Sequence, residues 1–196
     1  MLGSFVLYDI FSLNMTKVLG FDISSSCIGY SVIEILPNQE LKFISCDYLK
    51  PIKKGSIIYK IADTRDKIKK IIQEIKPDHI AIEDIIQFMS GASTAKTIIT
   101  LTSFNRMIGL LSYDFLKKEP EYFNVMTIRH GLKLNKILPK KEDMPDLVAK
   151  HLKITFPYQK NKKNNLKSEN YDMADSIAVA LYYSLLLSNK IKGKKK

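Results

Sequence analysis

The order of hydrophobic periods along the chain predicts an α/β fold: a five-stranded mixed sheet, built as a three-stranded antiparallel meander plus two parallel strands, with helices on both faces. Three observations carry this. The first part of the chain holds three apolar runs of strand length separated by short turns. From Ser56 onward the apolar residues recur at three- and four-residue steps, and each later strand is entered through such a helix. The chain then closes on a long apolar helical stretch that opens near Tyr171 and contains two carboxylates.

Lys17 to Ser24 is apolar at nearly every position, as expected of a strand buried on both faces. Ser25, Ser26 and Gly29 mark a tight turn. Ile28 to Ile35 is a second strand that Pro37 and Asn38 end in a hairpin turn, and Leu41 to Leu49 is a third. Ile57, Ile58, Ile61, Ile68, Ile71, Ile72 and Ile75, with Lys and Asp between them, form an amphipathic helix ended by Pro77. Asp78 to Glu83 is a short fourth strand. A loop with an exposed aromatic, Phe88, leads into a long helix from Ser93 to Lys118. Its apolar residues cover more than one face, so it is central or pairs with a partner subunit. Tyr122 to Arg129 reads as the fifth strand, and Glu142 to Lys153 as a short helix with Pro145 in its first turn. Pro157 to Lys167 is a polar, basic loop. The domain spans residues 15–189, preceded by an extension, 1–14, and followed by a basic tail, 190–196.

With 31 basic and 20 acidic residues the net charge is +11. That excess favours a polyanionic partner, nucleic acid ahead of an anionic membrane, although a composition rich in Lys, Ile and Asn produces it without any function. Cys27 and Cys46 have no metal or disulfide spacing, and His79, His130 and His151 are scattered. No apolar run approaches the roughly 18 residues a membrane span needs. The first thirteen residues contain Asp9 and lack a basic start, so no signal peptide is expected and the protein is expected to be soluble and intracellular.

The chemistry is carried by acids. Asp172 and Asp175 lie three residues apart, which places both on one face of the closing helix. First-turn acids are favoured by the helix dipole by about 0.3–1 kcal/mol, but that explanation suits Glu169 better than Asp175. Asp22 sits in the buried first strand, where a charge is costly unless it is paired or metal-bound; capping a turn through Ser25 or Ser26 is its bland reading. Glu83 ends the fourth strand, with Asp84 as the neighbouring candidate. If the first and fourth strands are sheet neighbours, Asp22 and Glu83 stand side by side. Four such acids offer the hard oxygen ligands that two magnesium ions take.

The run from Gly20 to Val32 (GFDISSSCIGYSV) resembles the first motif of the RuvC-type Holliday junction resolvases, within the ribonuclease H-like superfamily. Ala81 to Glu83 resembles their second acidic motif, and Tyr171 to Ala180 (YDMADSIAVA) their last helix. The similarity runs from about Lys17 to Leu187 and leaves open a viral, phage or organellar member. It implies a ribonuclease H-like fold and four metal ligands, Asp22, Glu83, Asp172 and Asp175. It also implies a basic residue near the phosphate, Lys140 or Lys141, and a base-contacting loop aromatic, Phe88. Lys162 and Lys163 in the basic loop suit a non-specific phosphate role. Two departures from the family pattern are Ile23-Ser24, where Pro-Gly is common, and Ser176 after the last acid.

The resemblance implies a crossover junction endodeoxyribonuclease of DNA recombination and repair. It would cut four-way junctions as a homodimer, with two Mg2+ per active site and Mn2+ able to substitute. Two other readings remain open: a ribonuclease H-like nuclease acting on other branched DNA or RNA, and a non-catalytic junction-binding protein. An actin-like kinase shares the first motif, but a chain of 196 residues leaves no room for the second domain it requires.

Overall fold

The computed structural model describes residues 15–85, 95–134 and 136–190. The extension 1–14, Phe88 and tail residues 191–196 lie outside them. The sheet is the expected one, with strands ordered β3-β2-β1-β4-β5. β1 (Thr16–Ile23), β2 (Ile28–Ile35) and β3 (Leu41–Leu49) form the antiparallel meander. β4 (His79–Glu83) joins β1 in parallel, and β5 (Glu121–Phe123) joins β4 in parallel. The first turn is tied by Ser24, whose hydroxyl accepts from the Cys27 N–H at 2.9 Å and donates to the Cys27 carbonyl at 2.8 Å.

Two cores explain the apolar character of the central strands. α1 (Ile57–Ile75) and α2 (Ala95–Leu116) cover one face, packing Ile68 and Phe104 against Leu19, Phe21, Ile80 and Ile82. The other face carries the closing helix, α5 (Glu169–Leu187), whose Ala174, Ile177, Ala178 and Leu181 meet Val18, Ile33 and Ala81. α1 starts at a serine cap, the Ser56 hydroxyl accepting from the Tyr59 N–H at 3.2 Å. It ends at Lys76, in the left-handed region just before Pro77.

The fifth strand is a correction. Tyr122 to Arg129 is not one extended run: β5 stops at Phe123, and Asn124 caps a helix, α3 (Val125–Leu132), its side chain accepting from the Met126 N–H at 2.8 Å. Ile128 and Leu132, four residues apart, are the buried positions of that helix. The helix expected from Glu142 begins instead as a 3₁₀ turn (Lys141–Asp143) and continues as α4 (Met144–Leu152), with Pro145 in its first turn.

Two glycines set how closely α5 approaches the sheet. A Cβ on Gly20 would stand 2.6 Å from the Ser176 carbonyl oxygen, and one on Gly29 would collide with the Asp172 carbonyl. Only a bare backbone at these positions lets the acid-bearing end of α5 lie directly over β1 and β2.

Candidate active site

β1 and β4 run parallel with Phe21 paired to Ile82, so the next residues along, Asp22 and Glu83, are neighbours at the carboxyl ends of adjacent strands. Asp22 is also the register partner of Gly29 on β2, the residue over which α5 brings Asp172. Asp175 follows one turn later. The four acids line one cleft of about 300 Å³, together with Thr97, Val125, Arg129 and Lys141. A wider groove of about 540 Å³ lies between α1 and α2, but its charged residues include none of the buried acids.

The cleft crowds like charges in a poorly solvated place. Asp22 is 9% exposed and Asp175 7%. Burial first, and then Glu83, Asp175 and Asp172, raise the Asp22 carboxyl well above its ordinary range, against the pull of Lys141. Burial and Asp175 push Glu83 up to about 7. Burial pushes Asp175 up to about 6, with Lys141 and Arg129 opposing and Asp172 adding to the rise. Three carboxyls raised in this way, with Asp172 beside them, call for positive charge.

Two residues supply some of it. The Lys141 ammonium lies 3.7 Å from Asp172 Oδ1 and 3.9 Å from Asp175 Oδ2. Burial lowers its pKa, but Asp175, Asp172, Asp22 and Glu83 outweigh that and raise it. Lys140 is exposed and does not line the cleft, and its backbone N–H donates to Asp143 Oδ2 at 2.9 Å. Of the two lysines, the structure therefore brings Lys141 to the acids. The second cation, Arg129, was missed in the sequence because its segment reads as a strand. On α3 it lies one turn from Val125, and both face the cleft. Its Nε is buried without a hydrogen-bond partner. The signal that could have found it is Asn124, a capping residue just ahead of apolar residues at helical spacing.

Asp84, the other candidate beside Glu83, also reaches the cleft wall, but its contacts run elsewhere. Its N–H donates to the Phe123 carbonyl at 2.9 Å, its Oδ1 accepts from the Ile85 N–H at 2.9 Å, and Arg106 stands 3.9 Å away. Asn105, fully buried on α2, fixes the end of β4 by donating to the Glu83 carbonyl at 3.0 Å. Lys162 and Lys163 are exposed on the 157–168 loop, outside the cleft, and Phe88 is outside the described residues. The histidines lie elsewhere: His79 contacts the Tyr183 hydroxyl at 3.2 Å, His151 contacts the Leu132 carbonyl at 2.7 Å, and His130 is exposed.

As placed, no three His, Cys, Asp or Glu side chains among the described residues draw together tightly enough to enclose an ion. The cleft suits a divalent cation through its donors. They are all carboxylate oxygens, they outnumber Lys141 and Arg129 facing them, and the raised proton affinities of Asp22, Glu83 and Asp175 mark an unmet demand for positive charge.

Comparison with known proteins points to one family. A family model described as Crossover junction endodeoxyribonuclease RuvC matches residues 18–183. The protein of that description from Wigglesworthia glossinidia brevipalpis is 29% identical over 194 residues, covering 91% of this chain and 99% of its own. That from Campylobacter lari is 29% identical over 176 residues, covering 89% and 99%. The fold is similar to T. thermophilus RuvC solved in complex with Holliday junction substrate (TM-score 0.67, 13% identity, 88% of this chain and 95% of that one). It is also similar to Ydc2, the yeast mitochondrial Holliday junction resolvase (TM-score 0.61, 17% identity, 91% and 83%). Among the described residues, no helix is long and apolar enough to cross a membrane.

Proposed function

The chain belongs to the crossover junction endodeoxyribonuclease RuvC family, and on that premise we propose that it resolves four-way DNA junctions by phosphodiester hydrolysis, as a homodimer that makes paired symmetric nicks. The family's nuclease chemistry depends on a divalent metal. The finer reading, two Mg2+ per site with Mn2+ able to replace them, rests on the all-carboxylate cleft. The observation that carries the proposal is the convergence of Asp22, Glu83, Asp172 and Asp175 from two neighbouring strands and one helix onto a single cleft.

Those four residues would hold the metal. When bound, it supplies an activated water and neutralises charge at the leaving oxygen. Asp22, on the central strand of the sheet, lies between Glu83 on one side and the α5 pair on the other, and would share in holding the metal with both. Lys141 and Arg129 enter from the 3₁₀ turn and from α3, and both would orient the scissile phosphate. Asn105 and Gly29 act through others, the first by fixing the end of β4 and the second by fixing the approach of Asp172.

The dimer draws support from α2. Ile99 and Leu110 are each 61% exposed, and Tyr113 adds exposed apolar surface on the same side of the helix. A two-fold dimer covers such a patch with its own copy and supplies two sites for two cuts. The test is cleavage of a synthetic four-way junction against linear duplex of the same arm sequence, with and without Mg2+. Symmetric, magnesium-dependent cuts confined to the junction and leaving 5′-phosphate and 3′-hydroxyl ends are expected. Equal cutting of linear duplex would overturn the proposal.

A further inference from the structure

A cleft walled by four carboxylates repels the phosphates that must enter it, so cations beside the cleft have to supply the attraction. Lys141 and Lys50 are engaged with acids, Lys50 with Glu169. Lys160, Lys162 and Lys163 are exposed, and among the described residues no carboxylate pairs with any of them.

The segment that carries these lysines is built as a hairpin. Lys160 and Leu166 form an antiparallel bridge, and the Asn161 N–H donates to the Asn165 carbonyl at 2.8 Å. Asn161 Oδ1 closes the tip by accepting from the N–H groups of Lys163 and Asn165, at 2.9 and 3.1 Å. Asn164 takes the left-handed conformation there (φ 62°), which asparagine tolerates. The base is clasped by one side chain. Asn170, 2% exposed, accepts from the Gln159 N–H at 2.7 Å and donates to the carbonyls of Gln159 and Lys167 at 2.9 and 2.8 Å. The Lys167 ammonium then donates to the Tyr48 hydroxyl at 3.1 Å and to Gln159 Oε1 at 3.2 Å.

This clasp lies beside the acids. Asn170 is on α5, two residues before Asp172. Tyr48 pairs with Gly29, and Gly29 pairs with Asp22. Directly paired residues share a sheet face, so the Tyr48 backbone stands two strand spacings, about 10 Å, from that of Asp22, with its side chain on the face that α5 covers. The tip (Asn161 to Asn165) contains amides and ammonium groups, with no aromatic side chain to stack on a base and no carboxylate.

We propose that residues 158–167 are a preformed basic hairpin, clasped by Asn170 to the helix that carries Asp172 and Asp175, whose Lys160, Lys162 and Lys163 hold the phosphate backbone of a DNA arm alongside the cleft. The proposal rests on the nuclease reading above and adds to it where one arm lies. Because the contacts go to phosphate, they fix position without reading sequence. Because the hairpin is already ordered, binding spends little conformational entropy on it.

The test is the salt dependence of four-way junction binding by the full chain in EDTA, followed by fluorescence anisotropy between 50 and 200 mM NaCl. Replacing all three lysines (Lys160→Gln, Lys162→Gln, Lys163→Gln) is expected to reduce the slope of log Kd against log salt by about 2.7, three contacts at about 0.9 each. Asn161→Ala keeps every charge but opens the tip, and is expected to weaken binding severalfold with the slope kept. An unchanged slope in the triple variant overturns the phosphate contact, and unchanged affinity in Asn161→Ala overturns the preformed hairpin. Failure of the nuclease reading looks different, because the parent protein then shows no preference for the junction over linear duplex.

Discussion

Lys141 Nζ stands 3.7 Å from Asp172 Oδ1, at the mouth of the acid cleft, with about half of its side chain exposed. A pair this open to water is weakly held, and a divalent cation at the acids competes with it directly. Lys141→Met is expected to bind Mn2+ severalfold more tightly in isothermal titration calorimetry without DNA. The same variant is expected to cut junctions about a hundredfold more slowly, having lost a cation aimed at the phosphate. Unchanged Mn2+ affinity would show that the lysine does not compete with the metal.

The acids predict an unusual pH dependence for the metal-free protein. Glu83 sits at about 7 and Asp175 at about 6, against 4.5 and 3.8 for the free carboxyls. The folded protein thus keeps protons that the unfolded chain has released, and unfolding becomes easier as pH rises. The stabilisation is complete below the unfolded values and is lost as pH rises through about 6 to 7. A loss on the order of 2 kcal/mol, or roughly 5 °C in melting temperature between pH 5 and pH 8, is expected for a chain of this size. Differential scanning calorimetry in EDTA measures it. Mg2+ at pH 8 should restore the melting temperature, and Asp175→Asn should flatten the pH profile.

Gly29 predicts a steric effect on the site. The methyl group of Gly29→Ala would meet the Asp172 carbonyl, and α5 must shift to admit it. Overpacking of this kind costs about 1–3 kcal/mol. Urea unfolding should show that loss, and Mn2+ affinity should fall with it because Asp172 moves. Wild-type metal affinity in a destabilised Gly29→Ala would mean that the acids do not depend on this contact.

The exposed residues of α2 bear on assembly. Leu110→Glu places a charge within the exposed stripe formed with Ile99 and Tyr113. Sedimentation velocity at micromolar concentration is expected to show a dimer for the parent and a monomer for the variant, whose cuts should become single unpaired nicks. A monomeric parent that still makes paired cuts would remove the dimer from the account.

Much of this architecture was legible in the sequence, for physical reasons that differ by element. β2 and β3 were readable because serine, glycine, proline and asparagine punctuate them, and their bounds match. The adjacency of Asp22 and Glu83 follows from a crossover returning a parallel strand beside the first one, as the register shows. Arg129 was hidden because Tyr122, Phe123, Val125 and Ile128 have strand-forming side chains, and one capping residue, Asn124, switches the run to helix. The choice between Lys140 and Lys141 depends on the phase of a single 3₁₀ turn, which periodicity does not fix. The clasp of Asn170 on the basic hairpin is a side chain-to-backbone contact across eleven residues, and no local pattern announces it.

The most direct measurement is single-turnover cleavage of a four-way junction by Asp175→Asn in Mg2+, with junction affinity measured on the same protein. Asp175 is the buried acid that helix-end electrostatics explains least, and it faces Lys141 in the cleft. The account predicts that cleavage falls by about a thousandfold or more while junction binding stays within a few-fold of the parent. Cleavage at the parental rate would contradict it.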